Sequence, residues 1–172
     1  MEDVELVSKC KEGDRKAFSM LIKSYEKDLY RVAIAMTKNN DDALDCIQEA
    51  ILQAFKSMSS LLHEEYFKTW LIKILINKCN EMLYKKKRII LFSEYQSEDS
   101  YSYNTEVIEV KDAVNKLEES LKLLVILYYF EDMSIKDIAE SLNIPEGTVK
   151  SRLARAREKL KLFLTVKESE VM

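Results

Sequence analysis

The only proline of the chain, Pro145, interrupts the stretch that most limits its fold, MSIKDIAESLNIPEGTVKSRLARAREKLK from Met133 to Lys161. Ahead of the break, Ser134 can cap a helix, because its hydroxyl accepts a hydrogen bond from an otherwise unpaired backbone N–H. Ile135, Ile138, Ala139 and Leu142 then recur at helical spacing and give that helix one apolar face. Asn143 tolerates the left-handed conformation that ends helices, and Pro145 suits a first helical position, where its missing N–H costs nothing. A second helix is therefore predicted from Pro145, with Val149, Leu153, Ala156 and Leu160 as its inward stripe. Lys150, Ser151, Ala154 and Arg155 take the opposite side, and Arg152 and Arg157 flank the stripe. Between Pro145 and Lys161, Lys150, Arg152, Arg155, Arg157, Lys159 and Lys161 stand against Glu146 and Glu158, a net of +4. Two helices around a tight turn, with a cationic outer face, are what a major-groove reader needs. Charge alone would fit a solvated basic helix in an ordinary bundle. Charge joined to this break and this register favours DNA.

Composition sets the rest of the fold class. Two glycines and one proline in 172 residues, with 47% hydrophobic and 33% charged residues, predict an all-α chain of one medium domain or two small ones. Net charge is −3, so DNA affinity has to come from local patches. The acidic start MEDVELVSK lacks the pattern of a secretory signal, and no run approaches the ~20 apolar residues that span a bilayer. These features predict a cytoplasmic protein. Cys10, Cys46 and Cys79 fall at spacings that suit neither a disulfide framework nor a zinc motif, and His63 is the only histidine. Reduced, buried or half-buried thiols are expected, with no metal or cofactor.

Along the chain, a short helix with Val4, Leu6 and Val7 ends at Gly13, and Asp14 can cap a second helix reaching about Lys38. Phe18, Leu21, Ile22, Tyr25, Leu29, Val32, Ala33 and Met36 form its stripe. After a turn at Asn39-Asn40, a third helix starting at Asp41 or Asp42 is predicted to bury Leu44, Ile47, Ile51, Ala54, Phe55 and Met58. Ser57 to Leu62 reads as a loop. A fourth helix opens at Glu64 or Glu65, with Phe67, Trp70, Leu71, Ile74, Leu75 and Met82 or Leu83 inside, completing a four-helix bundle. From Lys68 to Arg88 this helix carries Lys68, Lys73, Lys78, Lys85, Lys86, Lys87 and Arg88 against Glu81, a net of +6. Cations at a helix C-terminus suit its dipole. The same cluster beside Asn77, Asn80 and Tyr84 is a candidate DNA surface, and local sequence favours neither account. Residues 93–106, polar and acidic, read as a flexible linker, although Tyr95, Tyr101 and Tyr103 could dock. Helical patterning resumes with Val107, Val110, Val114 and Leu117, then Leu121, Leu124, Val125, Leu127, Tyr128 and Phe130. The domains expected are 1–92, linker 93–106 and 107–172.

With these features in place, the sequence resembles the extracytoplasmic-function group of bacterial sigma-70-type sigma factors over nearly its whole length. Asp42-Ala43-Leu44-Asp45-Cys46-Ile47-Gln48-Glu49 is similar to the family's D-A-x-D-x-x-Q-E motif. Phe67-Lys68-Thr69-Trp70-Leu71 with Asn77 resembles its promoter-melting helix. Ile138-Ala139-Glu140 and the run from Gly147 to Arg157 resemble its −35-reading helix-turn-helix. The sequence departs from the pattern in lacking a proline near Ser120, in having Glu81 for an aspartate, and in having mainly lysines from Tyr84 to Lys87 where arginines are usual. Lysine keeps phosphate holding but not the planar fork that reads bases.

The resemblance implies a promoter-specificity subunit, not itself an enzyme, whose partners are core RNA polymerase, promoter DNA and an anti-sigma factor, commonly membrane-anchored. It implies a core-polymerase surface at Asp45, Gln48 and Glu49, which would otherwise read as a solvated face. It assigns −10 contacts to Lys73, Asn77, Asn80, Tyr84, Lys85, Lys86, Lys87 and Arg88. A flipped base would be received between the Ser57–Tyr66 loop and the fourth helix. At −35 it assigns Thr148, Lys150, Ser151, Arg152, Ala154 and Arg155, with Thr148 offering free N–H groups to a phosphate. The acidic linker is implied to thread the polymerase channels. The competing reading is a helix-turn-helix regulator that is not a polymerase subunit; a helical adaptor binding only protein fits the two basic helices less well.

Overall fold

Asp14 shows how local chemistry sets the helix ends. Its carboxylate accepts from the N–H groups of Lys16 (2.8 Å) and Ala17 (3.1 Å) and so caps helix α2, Arg15–Thr37. The preceding turn holds Gly13 at φ 95°, a conformation that glycine adopts without the Cβ clash of other residues. The structure, a computed structural model, describes the backbone of residues 2–90 and 108–170 and the side chains of 3–87 and 112–165. The predicted linker with its three tyrosines lies outside the described residues, as does Val107. Contacts divide the chain into two compact units, Met1–Tyr101 and Ser102–Met172. Every regular element among the described residues is helical.

In the first unit α1 (Glu2–Lys11) packs on α2, and α3 (Asn40–Ser57) lies against both α2 and α4 (Phe67–Ile90). Helix α3 begins earlier than the aspartates suggest, because Asn39 is the cap: its side-chain oxygen accepts from Asp42 N–H at 3.0 Å. Lys38 turns left-handed at φ 58° and closes α2. The loop from Ser57 is more ordered than its sequence implies. It forms a one-turn 3₁₀ segment at Met58–Ser60, buries Leu61, and makes a second such turn at Glu64–Tyr66 ahead of α4.

The buried face of α3 corrects the sequence expectation. Ala43, Cys46, Ala50 and Ala54 face inward, while Leu44 and Phe55 are exposed and Ile47 and Ile51 only partly covered. A helix pressed between two neighbours meets them more closely through small side chains, since interaxial distance follows the residues at the contact. The large aliphatics sit on the shoulders. Ala50→Leu therefore overpacks this contact and should lower the stability of the first unit by about 1–3 kcal/mol. Urea unfolding followed through Trp70, the only tryptophan, reads that unit. On α4 the buried set is Phe67, Leu71, Ile72, Leu75, Ile76 and Cys79, with Trp70 and Ile74 half-buried. All three cysteines are free and buried, and burial pushes each thiol above its ordinary pKa, so none is poised to react.

In the second unit α5 (Ile108–Asn115), α6 (Glu119–Val125) and α8 (Glu146–Glu170) enclose Val114, Leu117, Leu121, Val125 and Ala156, with Phe130, Leu160 and Phe163 against them, and α7 (Ile135–Leu142) packs on α8. Helix α6 widens into a π-turn over Ile126–Phe130. Ser134 caps α7, accepting from Asp137 N–H at 3.0 Å and donating to the Asp137 carboxylate at 2.6 Å. Asn143 closes α7 at φ 52°, ψ 47°.

Candidate nucleic-acid interface

The turn at Asn143 and the buried stripe of α8 together determine what α8 shows to solvent. Val149, Leu153 and Ala156 are buried, so Lys150, Ser151, Ala154 and Arg155 stand exposed on the other side, with Thr148 and Arg152 half-buried at its edges. Pro145 lies one position outside the helix, where its carbonyl accepts from Thr148 N–H (2.9 Å) and Val149 N–H (3.2 Å). The Thr148 N–H is thus engaged within the helix, contrary to the sequence expectation; Glu146 and Gly147 occupy the turn ahead of it. The Ser151 hydroxyl donates back to the Thr148 carbonyl at 3.1 Å. Arg155 and Lys159 both reach the Glu118 carboxylate, and Arg157 donates to the Tyr129 hydroxyl at 3.2 Å.

A second polar face runs along α4. Asn77, Asn80, Tyr84, Lys85, Lys86 and Lys87 are exposed and Lys73 is half-buried, while the side chain of Arg88 lies outside the described residues. Lys73, Asn77, Asn80, Tyr84 and Lys87 follow one another at steps of 4, 3, 4 and 3, a single helical face. Lys86 pairs with Asp42 of α3, and Lys78 with Glu81 at 3.2 Å. At its N-terminal end the face continues into half-buried Trp70 and exposed Tyr66, whose ring meets His63 edge-on at 6.0 Å; Leu62 beside them is 85% exposed. Lys11 ties the turn down through Glu64 at 3.3 Å. The helical period of α4 predicts an inward Trp70, and nothing in the Ser57–Tyr66 loop singles out Leu62. An apolar residue in a short loop carries no periodicity from which its exposure could be read.

The third surface belongs to α3. Asp45, Gln48 and Glu49 are exposed as expected, but they border exposed Leu44, Leu52 and Phe55. Arg15, Phe18, Gln48, Ile51, Leu52 and Phe55 line an open groove there, and Phe55 packs edge-on against Phe18 at 5.1 Å.

Comparison with known proteins joins the three surfaces. Residues 21–89 match the family model of sigma-70 region 2, and residues 108–160 match that of sigma-70 region 4. RNA polymerase sigma factor SigV of Bacillus subtilis is 34% identical over 151 residues, 84% of this chain and 89% of that protein. The ECF RNA polymerase sigma-E factor of Haemophilus influenzae is 32% identical over 178 positions, covering 92% and 93% of the two chains. The chain belongs to the extracytoplasmic-function (ECF) sigma factors. Among solved structures, the sigma factor RpoE in complex with the anti-sigma factor NepR from Bartonella quintana matches with a TM-score of 0.71 at 26% identity, over 88% of this chain and 98% of that one. The fold is shared with CnrH in complex with the cytosolic domain of CnrY, TM-score 0.63 at 22% identity, covering 96% and 99%. Within the sigma factor, the α3 and α4 surfaces fall in the region 2 match and the face of α8 in the region 4 match.

Proposed function

We propose that this sigma factor divides promoter recognition between two domains, 1–92 and 107–172, with 93–106 as the link. It is a transcription initiation factor that directs core RNA polymerase to promoters. The observation that carries the division is the opposition on α8 between the buried Val149, Leu153 and Ala156 and the exposed Lys150, Ser151, Ala154 and Arg155. A helix held by one apolar stripe in a helix-turn-helix offers the other side to the major groove, where Arg155 suits guanine and Lys150 suits a phosphate. These residues, with Thr148 and Arg152, are proposed to read −35.

Opening of the −10 element is proposed for α4. A base leaving the stack exchanges its neighbours for aromatic and apolar surface, which Tyr66, Trp70 and Leu62 provide. Asn77 and Asn80 both donate and accept hydrogen bonds, as base edges require. Lys73, Tyr84, Lys85, Lys86, Lys87 and Arg88 would hold the backbone. The α3 face is proposed to bind core polymerase: an exposed apolar patch rimmed by Asp45, Gln48 and Glu49 is the chemistry of a protein interface. Polymerisation belongs to the core enzyme. Control by an anti-sigma factor that covers these faces is part of the same reading.

In vitro transcription with purified core polymerase and a promoter library tests it. Added sigma factor should give initiation from a defined subset of promoters sharing −35 and −10 elements. A folded chain that leaves promoter choice unchanged would instead support a regulator acting outside polymerase.

A further inference from the structure

Glu118 stands immediately before α6, at φ −55° and ψ 142°, and its side chain makes no capping bond to the helix it precedes. Its carboxylate instead crosses to α8. One oxygen, Oε1, accepts from Arg155 Nη2 at 3.3 Å and from Lys159 Nζ at 2.5 Å. Two cations converging on one anionic oxygen is how a backbone phosphate would be held, and one of them is the arginine on the exposed face of α8. The three side chains remain partly open to solvent, at 52% for Glu118, 61% for Arg155 and 32% for Lys159. Such pairs are weak and readily exchanged. By contrast, Lys150 on the same face has no ion pair among the described residues.

We propose that Glu118 is a positioning residue that damps DNA binding: it holds Arg155 and Lys159 as an internal phosphate mimic, which the DNA backbone has to displace. The inference rests on the reading of α8's outer face as the DNA face. Unspecific duplex offers phosphates alone, so displacing Glu118 exchanges one anion for another with little gain. A correct −35 element adds base-edge contacts that reward releasing Arg155, but the Glu118 pair is lost there as well. Glu118 thereby lowers affinity for every duplex, and net binding is left chiefly where base contacts outweigh the broken pair. The Lys159 hydrogen bond first and the Arg155 charge second lower the pKa of its carboxyl, the direction expected where two cations favour the anionic form.

The test uses the full chain on a 30-base-pair random-sequence duplex, by fluorescence anisotropy from 50 to 200 mM salt. Glu118→Gln keeps the shape and removes the charge. It should tighten binding about three- to tenfold at 100 mM salt and steepen the slope of log K against log salt by about 1, the signature of one more phosphate contact. In an Arg155→Ala/Lys159→Ala background the same change should do nothing. Unchanged or weaker binding by Glu118→Gln, while Lys150→Ala/Arg155→Ala does weaken binding, would overturn the inference and leave the DNA face standing. Failure of Lys150→Ala/Arg155→Ala to weaken binding, or no binding by any protein at 50 mM salt, would remove the DNA face and this inference with it.

Discussion

A Leu44→Glu/Leu52→Glu variant should bind core polymerase at least about a hundredfold more weakly while keeping its helical content and its unfolding midpoint. Both side chains are exposed in the free protein, Leu44 at 43% and Leu52 at 48%, so neither supports the bundle. They stand one turn to either side of Gln48, and Leu52 lines the groove with Ile51 and Phe55. Burying each leucine in a partner is worth about 1.5–3 kcal/mol, and a carboxylate in its place also has to be desolvated. Two such losses at the centre of one patch account for the magnitude. Asp45→Ala/Glu49→Ala changes the rim instead, and should slow association and lessen its salt dependence with a smaller loss of affinity. Size-exclusion and surface-binding measurements with core enzyme distinguish the two. If the leucine variant bound normally, the α3 face would have to be assigned elsewhere.

Expectation and structure differ on α3 for a physical reason that also explains why α8 was legible. On α8 the inward positions, Val149, Leu153, Ala156 and Leu160, are apolar and the outward ones are charged or small, so a single register satisfies the pattern. On α3 two registers compete: one of large residues, Leu44, Ile47, Ile51 and Phe55, and one of small residues, Ala43, Cys46, Ala50 and Ala54. Hydrophobicity ranks the first as the core. Close packing against α2 and α4 requires the second. Sequence carries the size of a side chain but not the distance to the next helix, so the register could not be decided locally. Asp45 and Glu49 are exposed, as their spacing predicts, but they border Leu44, which hydrophobicity ranks as core, so the apolar patch beside them is concealed in the sequence. The aromatic end of α4 was hidden in the same way, because Trp70 fits the inward period yet lies half-exposed next to Tyr66. The Glu118 pairing with Arg155 and Lys159 spans 37 and 41 residues, a separation at which no local pattern reports. Caps behave differently. Asp14, Ser134 and Asn143 act through bonds within three residues or through their own φ, and all three were legible.

The largest effect on DNA should come from Lys150→Ala/Arg155→Ala. Both side chains are exposed on the face opposite Val149, Leu153 and Ala156, so their truncation leaves the core of the second unit intact. Loss of a bidentate arginine–guanine contact costs about 1–3 kcal/mol, and loss of a lysine–phosphate contact weakens binding uniformly and lowers the salt slope by about 1. Together these predict a fall of about ten- to a thousandfold in initiation from a −35-dependent promoter by reconstituted holoenzyme, with core binding unchanged. The two halves separate in the single variants. Lys150→Ala should weaken binding equally on correct and altered −35 elements. Arg155→Ala should narrow the difference between them, and its net loss should be partly masked because the wild-type arginine has to leave Glu118 before it can bind. In a Glu118→Gln background that masking disappears, so Arg155→Ala should then cost more than it does in the wild type. If Arg155→Ala instead weakened all duplexes equally, arginine would be a phosphate holder, and reading of the −35 element would pass to Ser151, Arg152 and the contact surface of Ala154.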